Sequence, residues 1–184
     1  MKVFIDTNII LDYLADRSPY SGHAEQIFNL CIQGRAEGYI TASSATDIYY
    51  LMNKVIGQQK TRAGLEMIFS LLNVASVAKS DLKKAMELSM TDFEDALVAV
   101  CAKRVGAEYI VTRDEKGFNG SPVPPITPWN LLKALSGKLD AQNAFMLSVM
   151  TDEVVASSKI EGVILDKALV RSSLAKKFGF ETAD

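Results

Sequence analysis

Met1-Lys2-Val3-Phe4-Ile5-Asp6-Thr7-Asn8-Ile9-Ile10-Leu11-Asp12-Tyr13-Leu14 opens the chain and sets how the rest is read. Residues 1–5 form a short apolar run of the kind that makes a strand covered on both faces, and Asp6 ends it. Ile9, Ile10, Tyr13 and Leu14 then continue at helical spacing. The same device recurs downstream, where Glu108-Tyr109-Ile110-Val111-Thr112 leads into Arg113-Asp114. An acid that ends a buried strand is costly without a partner. Asp6 therefore needs one, unless it simply caps the helix that follows.

Outward from these two segments, single short strands alternate with helices. One helix carries Ala24, Ile27, Phe28, Cys31 and Ile32 and stops at Gly34; Gly38–Ala42 reads as a strand. Ser43 or Ser44 is the expected N-cap of a helix through Ile48, Leu51, Met52 and Val55, broken at residues 57–60. A helix with Leu65, Ile68, Phe69 and Leu72, a strand over 73–77 and a helix with Leu82, Ala85 and Met86 follow. Thr91-Asp92-Phe93-Glu94 matches a capping box, ahead of a helix with Leu97, Val98, Val100 and Cys101 that ends at Gly106. This order predicts a three-layer α/β/α fold around a short central parallel sheet. Ligands in such sheets bind beyond the carboxyl ends of the strands, where Asp6 and Asp114 stand.

From Asn119 a proline-rich loop leads to a short helix, Trp129–Leu135, and Ser136-Gly137-Lys138 reads as a boundary. The expected division is a domain over 1–137 and a helical tail over 138–184, with helical patterns at about 141–158 and 166–178.

The chain of 184 residues is 48% hydrophobic and 23% charged, the composition of a protein with a sizeable core. A net charge of -2 gives no general attraction to nucleic acid or anionic lipid, so a polyanion would need a local basic patch or bound metal. Cys31 and Cys101 are far apart, lack a CxxC and read as buried thiols of a reducing compartment. The opening apolar run is too short for a secretory leader, and no uncharged run is long enough to span a bilayer, so the expected location is the cytoplasm.

Asp6, Asp47, Asp92, Asp95 and Asp114 all fall at strand ends or helix starts. Like charges in one pocket cannot all ionise without compensating cations, and oxygen-only donors favour Mg2+ or Mn2+ over zinc. Two such ions, about 3.5–4 Å apart, suit phosphodiester cleavage. Each acid has a plainer reading: Asp92 and Asp95 share a helical face, where one can be drawn off as a cap, Asp114 could belong to a solvated turn, and Asp47 could complement a helix dipole. Thr7, Asn8 and Thr112 lie beside the acids and could orient them, or could be turn residues. His23 is the only histidine and reads as solvated, which argues against a histidine base. No GxxxxGKS/T, GxGxxG after a strand or GxSxG is present.

DTNIILDYL at 6–14, TDIYYLM at 46–52, DFEDALVAVCAKRVGAEYIVTRD at 92–114 and PPITPWNLL at 124–132 together resemble the PIN-domain family, in the branch of VapC-like toxins. The resemblance runs from Met1 to about Leu135. It implies a metal-dependent ribonuclease acting on RNA, often a homodimer and often inhibited by a small antitoxin protein. It also implies that Asp6, Asp95 and Asp114 hold the metal with Asp47 beside them; Asp92 is expected to assist, as are Asn8 and Thr112 from their places next to the acids. Two departures stand out. Many relatives have glutamate where Asp47 stands, and close relatives carry TRN with an acid a few residues later, where this chain has Asp114 and then Gly117. Lys103, Arg104, Arg113 and Lys116 are candidates for substrate phosphates or for a solvated surface.

The tail resembles the N-terminal regulatory segment of Fic proteins: EVVASSKIEG at 153–162 carries an SxxxEG pattern at Ser157, Glu161 and Gly162. The Fic signature HxFx(D/E)GN is absent, so the chain is not itself a Fic transferase. An arm acting on a separate Fic protein, a dimerisation or self-inhibitory arm and a fusion remnant remain open. The alternative to a nuclease is a catalytically silent scaffold whose tail binds such a partner.

Overall fold

Strand β1 (Lys2–Ile5) sits at the centre of the sheet, and its side chains explain why. Val3, Phe4 and Ile5 are fully buried, so neither face of the strand meets water. β2 (Glu37–Thr41) and β4 (Tyr109–Val111) flank it, with β3 (Asn73–Ala75) and β5 (Pro125–Ile126) outside them, in the order β3-β2-β1-β4-β5 with every neighbouring pair parallel. The computed structural model describes residues 1–160 and 166–178, of which 138–146, 153, 156–160 and 178 as backbone only.

Helices flank the sheet in the expected three-layer arrangement. α1 (Thr7–Leu14) packs on α2 (Ser21–Ile32) and on α3 (Ala42–Ile56), which packs on α4 (Gln58–Leu71). α5 (Lys79–Glu87) packs on α6 (Phe93–Val105). Every residue of α6 from Ala96 to Ala102 is buried, together with Phe4, Ile110, Phe118 and Val123. A helical stretch apolar all round belongs inside a core, and 96–102 anchors α6 there while its polar first turn stands beyond the strand ends.

Two helix starts differ from expectation. The cap of α3 is Thr41, the last residue of β2, whose Oγ1 accepts from Ser44 N at 2.9 Å. Strand runs into helix without a loop, so the cap comes from the strand. The cap of α6 is Asp92, not Thr91; its Oδ1 accepts from Glu94 N at 2.8 Å and Asp95 N at 3.2 Å. Gly106 ends α6 at φ 73°, a conformation glycine adopts without strain.

The helix after β5 also differs. α7 (Pro128–Ile160) runs unbroken through Ser136-Gly137-Lys138. One interior glycine costs only about 1 kcal/mol, which the leucine- and alanine-rich flanks outweigh. The chain divides into two compact units, Met1–Leu132 and Lys133–Asp184. In the second, α8 (Lys167–Phe178) is capped by Asp166, Lys167 pairs with Asp152 at 2.6 Å, and Leu147, Thr151 and Ala175 are buried. Of the tail motif, Glu161 and Gly162 lie outside the described residues, and Ser157 is described only as backbone of α7. Among the described residues no helix is long and apolar enough to cross a membrane.

Candidate active site

The order of strands reverses about β1: β2 and β3 lie to one side, β4 and β5 to the other. A crevice opens beyond the strand ends at such a point. Ile5 is paired with Val111, and Asp6 N donates to Val111 O at 3.0 Å, so Asp6 and Thr112 leave the sheet side by side. Thr112 is fully buried and its Oγ1 donates to Asp6 Oδ2 at 2.7 Å. The same oxygen accepts from Asp114 N at 3.0 Å. Asn8 Nδ2 donates to Asp6 Oδ2 at 2.5 Å and to Thr112 Oγ1 at 3.1 Å. One network thus ties α1 to the segment after β4. Asp6 holds the N-cap position of α1 but its side chain caps nothing there; its hydrogen bonds point to the site.

Asp114 lies in a turn closed by Gly117 N, which donates to its Oδ1 at 3.0 Å. A Cβ on Gly117 would stand 2.8 Å from Asp114 Oδ2 and 3.0 Å from Asp95 Oδ2. The two carboxylates therefore face one small space that glycine leaves open. Asp95 arrives there because Asp92 caps α6 and sets the direction of its first turn.

The charges repel one another. Burial pushes Asp6 above the usual carboxylate range, against the Thr112 hydrogen bond, with Asp114 adding repulsion. Burial raises Asp95 to about 6, helped by Asp6, Asp92 and Asp114. Glu94, exposed as a residue, still loses enough solvation at its carboxyl that, with Asp47, Asp92, Asp6 and Asp95 around it, it rises to about 7. By its sequence pattern Glu94 belongs only to a cap. Its position between Asp92 and Asp95 in one helical turn was the available signal. Asp47, half-buried on α3, meets the group as the largest charge acting on Glu94.

The acids form one electrostatic neighbourhood; among the described residues no three acids, histidines or cysteines lie close enough as they stand to hold a metal ion. One of the five expected carboxylates, Asp92, is engaged as a cap. The donor chemistry fits a hard divalent cation nonetheless. It is oxygen-only, its acids are raised by burial and mutual charge, and the buried Thr7 Oγ1 beside Asp6 receives no hydrogen bond among the described residues.

The candidate phosphate contacts separate. Arg113 Nε lies 2.7 Å from Asp12 Oδ2, and its guanidinium stacks on Tyr20 at 4.1 Å. Arg104 pairs with Asp81 at 3.3 Å and donates to the Ser76 carbonyl, in the packing of α5 on α6. Lys103 is exposed on α6 and Lys116 is exposed in the Asp114 turn. His23 is half-buried, edge-on to Trp129 at 5.6 Å, instead of solvated. Cys101 is buried; Cys31 is only half-buried, its thiol pushed up to about 11 by burial, and both are free.

Known proteins show the same plan. The chain is 26% identical over 142 residues to Ribonuclease VapC1 of Aquifex aeolicus, covering 71% of this chain and 97% of that protein. The fold is similar to DNA-bound VapBC of Salmonella typhimurium, with a TM-score of 0.57 at 18% identity, covering 70% of this chain and 98% of that one. It is also similar to VapC20 of Mycobacterium tuberculosis, described as a Sarcin-Ricin loop cleaving toxin, with a TM-score of 0.56 at 14% identity over 67% and 98% of the two chains. Residues 131–180 match a domain of unknown function, DUF4172. Residues 2–116 match the PIN domain, and since that is more than half of the sequence, the chain belongs to the PIN-domain family.

Proposed function

We propose that the chain is a VapC-like endoribonuclease that hydrolyses RNA phosphodiester bonds with Mg2+ or Mn2+, the toxin of a toxin–antitoxin pair. The observation that carries this reading is geometric: Asp95 Oδ2 and Asp114 Oδ2 face one small space at Gly117, and Thr112 Oγ1 ties the Asp114 segment to Asp6 at the switch point of the sheet. Asp6, Asp95 and Asp114 would hold the ion or ions, with Asp47 nearby. When bound, such an ion supplies Lewis-acid stabilisation of the phosphate oxygens and lowers the pKa of water.

The remaining work falls to the chain's own groups. Thr112 and Asn8 both donate to Asp6 Oδ2 and so hold the carboxylate at the strand end. Asp92 orients the turn that carries Asp95. The Glu94 carboxyl, pushed up to about 7 by burial and the acids around it, is suited to take a proton from the attacking water near neutral pH. Arg113 and Arg104 are held by carboxylates, so Lys116 is the cation best placed for substrate phosphates.

The likeness to VapC proteins, several of them in VapBC complexes, supports a small antitoxin as partner and is compatible with a homodimer. A Fic protein as partner of the tail rests on the resemblance at Ser157, Glu161 and Gly162 alone. A silent scaffold is disfavoured because Asp6, Asp95 and Asp114 stand at the family's acid positions, with Asp47 where many relatives have glutamate. Cleavage of a mixed RNA panel by wild type and Asp6→Asn, with Mg2+, Mn2+ or EDTA, tests the reading. Metal-dependent cleavage lost in the variant is expected; equal cleavage by both proteins would sink the assignment.

A further inference from the structure

A cavity of about 270 Å³ lies beside the acids, lined by Ile9, Asp12, Tyr20, His23, Arg113 and Trp129 among others. We infer that it receives one unstacked base of a single-stranded RNA, next to the phosphate that is cleaved. The inference rests on the ribonuclease reading and adds a recognition site to it.

Three observations carry it. The first is position. Ile9 is three residues past Asp6 in α1, and Arg113 stands between Thr112 and Asp114, its backbone N donating to Asn8 Oδ1 at 3.4 Å. The cavity and the acidic crevice are therefore two sides of one segment, within reach of neighbouring nucleotides on one strand.

The second is the wall. Tyr20 is 44% exposed and Trp129 59% exposed, large aromatic surfaces left to water at the cavity. Each is held in place: Tyr20 by the Arg113 guanidinium stacked on its ring at 4.1 Å, Trp129 by His23 edge-on at 5.6 Å. Thr127 caps α7 by accepting from Asn130 N at 3.2 Å, and Pro128 opens the helix, which fixes where Trp129 projects. Flat aromatic and guanidinium faces are the surfaces on which proteins stack unpaired RNA bases.

The third is charge. Arg113 is already paired with Asp12, whose carboxylate is fully buried in the cavity floor. A phosphate would have to compete with that carboxylate 2.7 Å from the guanidinium, whereas a neutral planar base adds no charge. The occupant that fits is thus the base and not the backbone.

Trp129 is the sole tryptophan, so its fluorescence reports on the cavity directly. The test uses the full chain carrying Asp6→Asn, chosen so that bound RNA is not cut, and short single-stranded RNAs. Base-bearing oligomers should quench Trp129 saturably, while an abasic oligomer with the same phosphates should not. Tyr20→Leu, which keeps the reporter, should weaken that binding roughly ten-fold. Equal quenching by base-bearing and abasic oligomers, or no quenching by either, would overturn the inference. Quenching by a basic peptide alone would also overturn it and assign the cavity to a protein partner. The readout does not depend on catalysis. RNA cleavage that survives with an empty cavity leaves the nuclease standing, and base binding without cleavage by the wild type removes the nuclease reading only.

Discussion

Arg113 Nε lies 2.7 Å from Oδ2 of Asp12, a carboxylate with no solvent exposure, and the pair fastens the segment carrying Asp114 to the helix that follows Asp6. Burial raises the Asp12 carboxyl, while Arg113 and then Arg17 pull it back down. The two partners are unequal: the Arg113 side chain is 32% exposed and can turn to water, but Asp12 cannot. Arg113→Met should therefore destabilise the domain by about 3 kcal/mol by stranding a buried charge. Asp12→Asn should cost only about 1 kcal/mol. Urea unfolding of both variants checks the order; a larger loss in Asp12→Asn would refute the asymmetry.

Gly117 is the position where a single methyl group meets two catalytic candidates. Its Cβ would stand 2.8 Å from Asp114 Oδ2 and 3.0 Å from Asp95 Oδ2. Gly117→Ala should displace both carboxylates and reduce Mn2+ affinity and metal-dependent cleavage at least ten-fold, with the fold retained. Calorimetric titration of Mn2+ alongside circular dichroism separates the two effects. Unaltered Mn2+ affinity would show that these oxygens do not share an ion.

Thr112→Val removes one hydroxyl and three hydrogen bonds, to Asp6 Oδ2, from Asn8 Nδ2 and from Asp114 N. The shape is nearly kept, so the loss is one of polar pairing inside the core, about 1–3 kcal/mol. Cleavage should fall about 10- to 100-fold through misplaced carboxylates. Thr112→Ser keeps the hydroxyl and should recover most of it, which a role limited to packing does not predict.

Much of this arrangement is legible before any coordinates. The apolar runs ending at Asp6 and at Thr112 mark β1 and β4, because a strand covered on both faces leaves no polar position until it ends. The unbroken helix α7 was not legible, since Ser136-Gly137-Lys138 carries breaker residues whose small cost the surrounding sequence absorbs. Nor was the fate of the arginines. Arg104 and Arg113 read as surface cations until tertiary packing brings Asp81 and Asp12 to them from elsewhere in the chain. Glu94 was hidden by a local rule: the capping-box pattern gave it a role that Asp92, capping one residue later than the pattern expects, left unfilled.

The raised acids make stability depend on pH and on divalent ions together. Asp95 moves from 3.8 to about 6 and Glu94 from 4.5 to about 7, both because the folded state disfavours their charged forms. The folded chain then binds more protons than the unfolded one between about pH 4 and 7, so stability is full below that window and falls as pH rises through it. A divalent cation opposes the same repulsion and binds only the ionised acids, so its effect should run the other way. In EDTA the melting temperature should drop from pH 5 to pH 8, and Mn2+ should restore it at pH 8 while doing little at pH 5. Melting curves across that range, with and without Mn2+, decide it; a metal-free melting temperature that climbs with pH would show that these carboxylates are stabilised by partners instead of strained by neighbours.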